Sequence, residues 1–351
     1  MTWLAWRQIR PQALVVLGLL IAVAAALAAT GPSLVHLYRS AVLPCAQAGD
    51  CDQVTQNFIS RYPVLRDLTP ALAVLPLLTG IFWGAPLIAK ELETGTFRLA
   101  WTQSVSRTRW LMVKVAVVGL ASVAVTGALT FMVGWWSSLI DLVGANRFGV
   151  GLFGERGVAP LGYAAFAFAL GLTLGLLIRR TLPAMAAAVA VFAAARLGVS
   201  FFVREHFMKA LHAVLPFNLM NPQASAAGTN AWTLSDQTIN GAGTVIGRNG
   251  GFGPNGQIAI GPMANGKGIA IGPGAGTCPN LNLPAPTGRA PGGGANALVQ
   301  QCINQLHIRS LVSYQPASRY WAFQWMELGL FLLVALLLIG FCLWWVRRRL
   351  A

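Results

Sequence analysis

Side chains able to do acid–base, metal or redox chemistry are few in this sequence, and their spacing fits no catalytic constellation. Ten carboxylates and four histidines are spread over 351 residues. His36, His206, His212 and His307 show no metal-ligand spacing, and no Cys-x-x-Cys pair occurs, so no metal site is expected. Glu91 and Glu93 are offset on a helix, or opposite on a strand, which suits contact with a partner or a helix N-terminus better than joint acid–base work. Two glycine patterns imitate phosphate loops. Gly261 to Lys267 fits G-x-x-x-x-G-K, but Gly268 stands where Ser or Thr would hold Mg²⁺. Gly251, Gly253 and Gly256 fit G-x-G-x-x-G without a preceding apolar strand or a following helix. No catalytic residue is assigned. Two charges do stand out because they interrupt apolar runs: Arg196 and Glu327, each roughly 9–10 Å inside a spanning helix at 1.5 Å per residue. Charges at such depth pair or snorkel, so an Arg196–Glu327 pair is expected, with snorkelling as the alternative.

The elements that must position these residues are membrane spans. The chain is 56% hydrophobic and only 10% charged, against about 25% charged in soluble domains, so its surface suits a bilayer. Six apolar stretches, 13–30, 68–89, 115–136, 158–178, 182–203 and 322–346, meet or approach the roughly 20 residues a spanning helix needs. Tryptophans such as Trp3, Trp6, Trp110, Trp135, Trp136, Trp321, Trp344 and Trp345 cluster at their ends, as interfacial belts require. The net charge of +15 sits mostly between and beside these runs, a topology signal and not a phosphate-binding face, so no nucleic-acid partner is expected. With Arg7, Arg10, Lys90, Arg98, Arg107, Arg109, Lys114, Arg179, Arg180, Arg347, Arg348 and Arg349 in short inner segments, both termini are cytoplasmic. The start of the chain also resembles a signal peptide, but its apolar run is longer than a usual h-region, and a retained first helix is expected.

This topology puts Cys45, Cys51, Cys278 and Cys302 on the oxidising side. Two disulfides are then expected, with Cys45–Cys51 and Cys278–Cys302 the most local of three pairings; four unpaired thiols are the alternative. The expected fold is an all-α polytopic membrane protein with six transmembrane helices and a large Gly-rich extracytoplasmic insertion between helices 5 and 6. Residues 1–203 would hold the first five spans, 204–320 the insertion, and 321–351 the sixth span and basic tail. Residues 2–11 read as an amphipathic helix on the inner surface or an extension of the first span. The 137–157 loop reads as glycine-rich and coreless. The insertion begins with helical spacing through Leu215, broken by Pro216 and Pro222. Further on, Ile258-Ala259-Ile260-Gly261-Pro262 recurs as Ile269-Ala270-Ile271-Gly272-Pro273, two short strands able to pair, with a flexible linker as the alternative.

The inner loop between spans two and three carries the most information. Phe97, Trp101 and Val105 recur every fourth residue, an apolar stripe on a short helix, and Ser104 or Ser106 is placed to cap the helix leading into span three. Its run Lys90-Glu91-x-Glu93-x-Gly95-Thr96, then Thr102-Gln103-x-x-Ser106-Arg107-x-Arg109-Trp110, resembles the corresponding loop of ABC-2 type permeases. These are membrane subunits of ATP-binding-cassette exporters. The Arg179-Arg180-Thr181-Leu182-Pro183 junction, the Tyr320-Trp321 approach to span six and the basic tail resemble a bacterial branch of that family.

The resemblance implies that 95–109 is a coupling helix docking on a separate ATPase subunit, with Glu91, Glu93, Gly95, Thr96, Arg98, Trp101, Thr102, Gln103, Arg107 and Arg109 as the coupling residues. It further implies an interface helix at 2–11, pairing of two permease chains in the bacterial cytoplasmic membrane, and no cofactor in this chain, ATP and Mg²⁺ belonging to the partner. The function expected is permease subunit of an exporter of amphipathic, drug-like or lipid-like substrates, and not an enzyme. The alternative is a membrane-anchored sensor or binding protein displaying the 204–320 segment.

Overall fold

The computed structural model describes residues 2–48, 54, 57, 58, 60, 74–95, 106–143, 147–217, 231–247, 250–252, 258–260, 269–271, 300, 301 and 303–349. Two compact units divide the chain, one formed by residues 1–207 and 320–351, the other by 208–319.

The first unit is helical. Its elements are α1 (Thr2–Leu37), α2 (Leu43–Ala48), α3 (Leu75–Thr94), α4 (Arg107–Val143), the short α5 (Val150–Phe153), α6 (Ala159–Ile178), α7 (Thr181–Gly198) and α8 (Tyr320–Arg349). A π-helical stretch, Tyr38–Val42, joins α1 to α2; another, Val199–Val203, extends α7 into a 3₁₀ turn at Arg204–His206. Among the described residues, five helical runs are long and apolar enough to cross a membrane: Leu14–Cys45, Thr108–Ile140, Ala159–Ile178, Thr181–His206 and Ala317–Arg348. They contain the expected spans three, five and six, and all but the first residue of spans one and four. The second expected span, 68–89, overlaps α3 only from residue 75; α3 is not one of these five runs and takes in Lys90, Glu91 and Glu93. Some helices overshoot a bilayer: α4 has 37 residues, about 55 Å at 1.5 Å per residue, against roughly 30 Å of hydrocarbon.

Mostly buried α6 is the central rod, packed against α3, α4, α7 and α8. Its contact with α3 is close because both faces are built from small residues. A Cβ added at Gly80 would stand 2.5 Å from the Ala167 Cβ, and one at Gly84 would stand 2.5 Å from the Phe168 carbonyl oxygen. From the other side, a Cβ at Gly175 would lie 2.6 Å from the Ala85 carbonyl oxygen. Lipid supplies no hydrophobic drive between helices, so backbone approach of this kind is what holds them. Around it Trp83, Leu87, Ile88, Trp110, Leu111, Val118, Phe168, Leu172, Leu176, Cys342 and Val346 form one apolar core. At the far end of α4, Leu27, Leu34, Val42, Phe58, Val133 and Trp136 form another, tied by the Trp136 indole N–H donating to Thr30 Oγ1 at 3.0 Å.

One expectation about this unit is corrected, and one pair of alternatives is separated. The α1 backbone runs unbroken from Thr2, which agrees with the second of the two readings of residues 2–11, an extension of the first span. The 137–157 segment is not coreless: α4 continues to Val143, and Phe148, Phe153, Glu155 and Arg156 are buried. Aromatic pairing accounts for that burial. Phe148 meets Tyr320 and Phe323 edge-on at 5.7 Å, and Phe153 meets Tyr320 at 5.6 Å.

The second unit contains β1 (Leu211–Pro216), β2 (Trp232–Ile239), β3 (Val245–Gly247), β4 (Gly250–Phe252), β5 (Ile258–Ile260), β6 (Ile269–Ile271) and β7 (Arg309–Gln315). One sheet has the order β1-β7-β2-β3, the other β4-β5-β6, and every pairing is antiparallel. The two copies of the Ile-Ala-Ile repeat are partners, Ile258 opposite Ile271 and Ile260 opposite Ile269. The helical spacing read at the start of this segment is overturned: 211–216 is a strand, Leu211 opposite Tyr314 and Pro216 opposite Arg309. Pairing with a strand almost a hundred residues away overrides the local pattern.

Candidate functional site

Where α3 ends, its last two turns are tied to two other helices. Gly95 takes φ +72° as the C-terminal cap, a left-handed conformation that glycine adopts without steric cost. One turn earlier, Glu91 accepts an ion-paired hydrogen bond from the buried Lys114 ammonium of α4. That ammonium also lies 4.5 Å from the centre of the Trp110 ring. Glu93 turns the other way. Its Oε2 accepts from the Thr181 N–H at 3.2 Å and from Thr181 Oγ1 at 2.9 Å. A carboxylate there satisfies an orphan donor of α7 and meets the positive end of the helix dipole. The junction between α6 and α7 is two residues long, Arg179 at φ +58° and Arg180 extended, which holds the α7 N-terminus within reach of Glu93.

Across the loop, Ser106 Oγ accepts from the Arg109 N–H at 3.4 Å at the start of α4, and the Arg109 side chain is exposed. Of the expected coupling residues, Thr96, Arg98, Trp101, Thr102 and Gln103 lie outside the described residues, and Arg107 is described only as the first residue of α4. Lys114 and Thr181 were absent from the sequence-derived set. The one available signal was charge: Lys114 is a lone cation one turn into an apolar run, opposite the acidic end of α3 in the chain.

At the opposite ends of α6 and α7, against α8, lies a buried polar cluster. Glu327 of α8 is fully buried, and its partner is Arg204, not the expected Arg196. Arg204 Nε donates to Glu327 Oε2 at 2.9 Å and Nη2 to Oε1 at 3.1 Å, a bidentate pair of the strong charge-assisted type. The Tyr163 hydroxyl of α6 donates to Glu327 Oε1 as well. Arg204 Nη2 also donates to Ser200 Oγ at 3.1 Å, and the guanidinium covers the Phe153 ring at 4.0 Å. Arg196 joins the group from α7 by stacking over the Tyr163 ring at 4.7 Å. The π-helical stretch between Val199 and Val203 widens the turn that separates the two arginines, and it is Arg204 that reaches the carboxylate. Sequence reading ended the span at Val203 and so assigned Arg204 to the outer loop.

Beside this cluster Gln324 closes the start of α6. Its Oε1 accepts from the Val158 and Ala159 N–H groups at 3.1 and 2.8 Å, while its Nε2 donates to the Phe153 carbonyl at 2.9 Å. No side chain of the α6 N-terminus caps it locally, so a residue of α8 does. Burial pushes the neighbouring Glu155 carboxyl up to about 7, partly opposed by Arg196, and lowers Arg156 to about 10.

Of the four cysteines expected to form disulfides only Cys45 is described; Cys51, Cys278 and Cys302 lie outside the described residues. Cys342 is a buried free thiol 3.3 Å from Thr173 Oγ1. Among the described residues no group of three His, Cys, Asp or Glu side chains is placed to hold a metal ion.

A helical unit with five runs long and apolar enough to cross a membrane among its described residues is the arrangement of a multi-pass membrane protein. No curated protein and no solved structure matches the chain. Residues 17–204, more than half of the sequence and including α3, the loop after it, α4, α6 and α7, match the family described as ABC-2 membrane transporter related. The chain belongs to the ABC-2 membrane transporter related family.

Proposed function

We propose that this chain is the permease subunit of an ABC-type exporter of the bacterial cytoplasmic membrane, moving an amphipathic, drug-like or lipid-like substrate. ATP and Mg²⁺ would be bound by a separate ATPase subunit gripping the 95–109 segment. The observation that carries this reading is the double tie at the end of α3. Glu91 to Lys114 and Glu93 to Thr181 link that helix end to α4 and α7. A displacement of the following loop by a cytoplasmic motor would therefore reach three helices together. In this reading α3 is the second of six spans, both termini are cytoplasmic, and the 204–320 segment is extracytoplasmic. Two such chains pair, and Cys45–Cys51 and Cys278–Cys302 are the disulfides.

Copurification tests the partner. The chain should bring down a Walker-motif ATPase, and that association should be lost when Arg98, Trp101 and Arg107 are changed together. Orientation has its own test, since a cysteine introduced at Ser104 must resist membrane-impermeant maleimide in intact cells. Labelling from outside would place the loop on the wrong side and end the exporter reading.

A second reading, an anchor that displays its insertion as a sensor or binding domain, is favoured by the compactness of the 208–319 unit. It predicts no ATPase in the copurified material.

A further inference from the structure

Two buried carboxylates lie at the same end of the helical unit in opposite environments. Glu327 receives donors from Arg204 and Tyr163. Glu155 is 4% exposed, yet neither of its carboxylate oxygens has a hydrogen-bond partner among the described residues. The chain around it leaves no freedom to seek one. Phe148 and Phe153 are wedged against Tyr320 and Phe323, and the Phe153 carbonyl is held by Gln324. A Cβ on Gly154 would fall 1.9 Å from Arg196 Nη2, and Gly157, at φ +75°, lies against the Gln324 amide.

The charged and titratable groups of the cluster that Glu155 adjoins are Arg147 and Arg156 on its own segment, Tyr163 on α6, Arg196 on α7, Arg204 on the α7 extension, and Tyr320 and Glu327 on α8, with Arg196 acting on Glu155 itself. Guanidinium groups outnumber carboxylates there, which disfavours a cationic ligand. Arg196 acts on Glu155 only through space, and an ionised carboxylate without a donor is costly to bury. The ligand that removes this cost without needing room is a proton.

We propose that Glu155 is a proton-binding site that seats the 147–158 segment in the helical unit, the segment being firm when the proton is bound and loosened when it leaves. The high carboxyl value of about 7 agrees with this. A raised acid contributes stability that is full below its ordinary value of 4.5 and is lost as pH rises through about 7. Neutral conditions thus fall at the upper end of the range over which the segment loosens. The inference does not depend on the transport reading and is tested on the full-length protein alone.

Infrared difference spectra of the protein in lipid nanodiscs, recorded across pH 7, should show a carboxylic-acid carbonyl band. The band should vanish with a midpoint near 7, be absent from Glu155→Gln, and persist in Glu205→Gln. Hydrogen exchange of the 150–156 amides, corrected for the chemical rate, should lose protection about tenfold per pH unit between 4.5 and about 7 and then level off. In Glu155→Gln, which carries no ionisable group, protection should not follow pH. A wild-type spectrum with no carboxyl titrating near 7 overturns the proposal, and that measurement stands even if Glu155→Gln does not fold. Titration without any change in exchange of 150–156 overturns it equally.

Discussion

Glu327 takes three hydrogen bonds from two other helices, so removing its carboxylate leaves the Arg204 guanidinium buried without its counter-ion. Breaking such a pair from one side typically costs on the order of 3 kcal/mol or more, mainly the penalty of the orphaned charge. Glu327→Ala and Arg204→Ala should each lower the thermal midpoint of the detergent-solubilised protein by an amount of that size. Arg196→Ala, which removes a half-buried guanidinium stacked on Tyr163, should cost roughly 1 kcal/mol, the scale of a partly exposed cation–π contact. Equal effects for the two arginines would contradict the pairing described above. Arg196 and Glu327 were legible in the sequence because charges in apolar runs stand out. Arg204 was not, because a hydropathy boundary at Val203 conceals a residue that a π-helical stretch turns back into the protein.

At the scale of helices, the α3–α6 contact rests on glycines whose missing side chains let two backbones meet. Gly84→Ala and Gly175→Ala would place a methyl 2.5 and 2.6 Å from opposing carbonyl oxygens, so the helices must separate. Each should cost about 1–3 kcal/mol, the usual range for overpacking. Gly134→Ala in α4 meets nothing within 4 Å and should instead stabilise by up to about 1 kcal/mol through helix propensity. Thermal unfolding of the three variants side by side checks both signs. At the other end of α3, a double-mutant cycle on Glu91→Gln and Lys114→Met should show a coupling energy of roughly 0.5–3 kcal/mol, as for residues in contact. If the loop transmits force as proposed, the same variants should weaken ATP-driven transport more than they weaken ATPase binding. Lys114 and Thr181 escaped the sequence reading because their partners lie on other helices. Ser106, a cap acting within its own helix, was legible.

The whole chain consists of two units with separate interiors, and their responses should be separable. Val312 is 1% exposed on β7, a strand paired on both sides by β1 and β2. Val312→Asp should abolish exchange protection across β1, β2 and β7 while α6 keeps its own. Simultaneous loss in both units would show one cooperative fold. Composition and hydropathy alone determined that the protein lives in a bilayer, where most of its spans lie and that a glycine-rich segment interrupts them. Those properties follow from residue type averaged over about 20 positions, which needs no knowledge of neighbours. The charged run around Gly95 was equally local, and it carried the family resemblance. Tertiary structure alone decided which guanidinium serves Glu327, that Gln324 caps a helix begun more than 160 residues earlier, and that 211–216 pairs as a strand. Such outcomes depend on the rotation of one helix against another and on distant strand partners, and both are set by packing among elements that no single stretch of sequence contains.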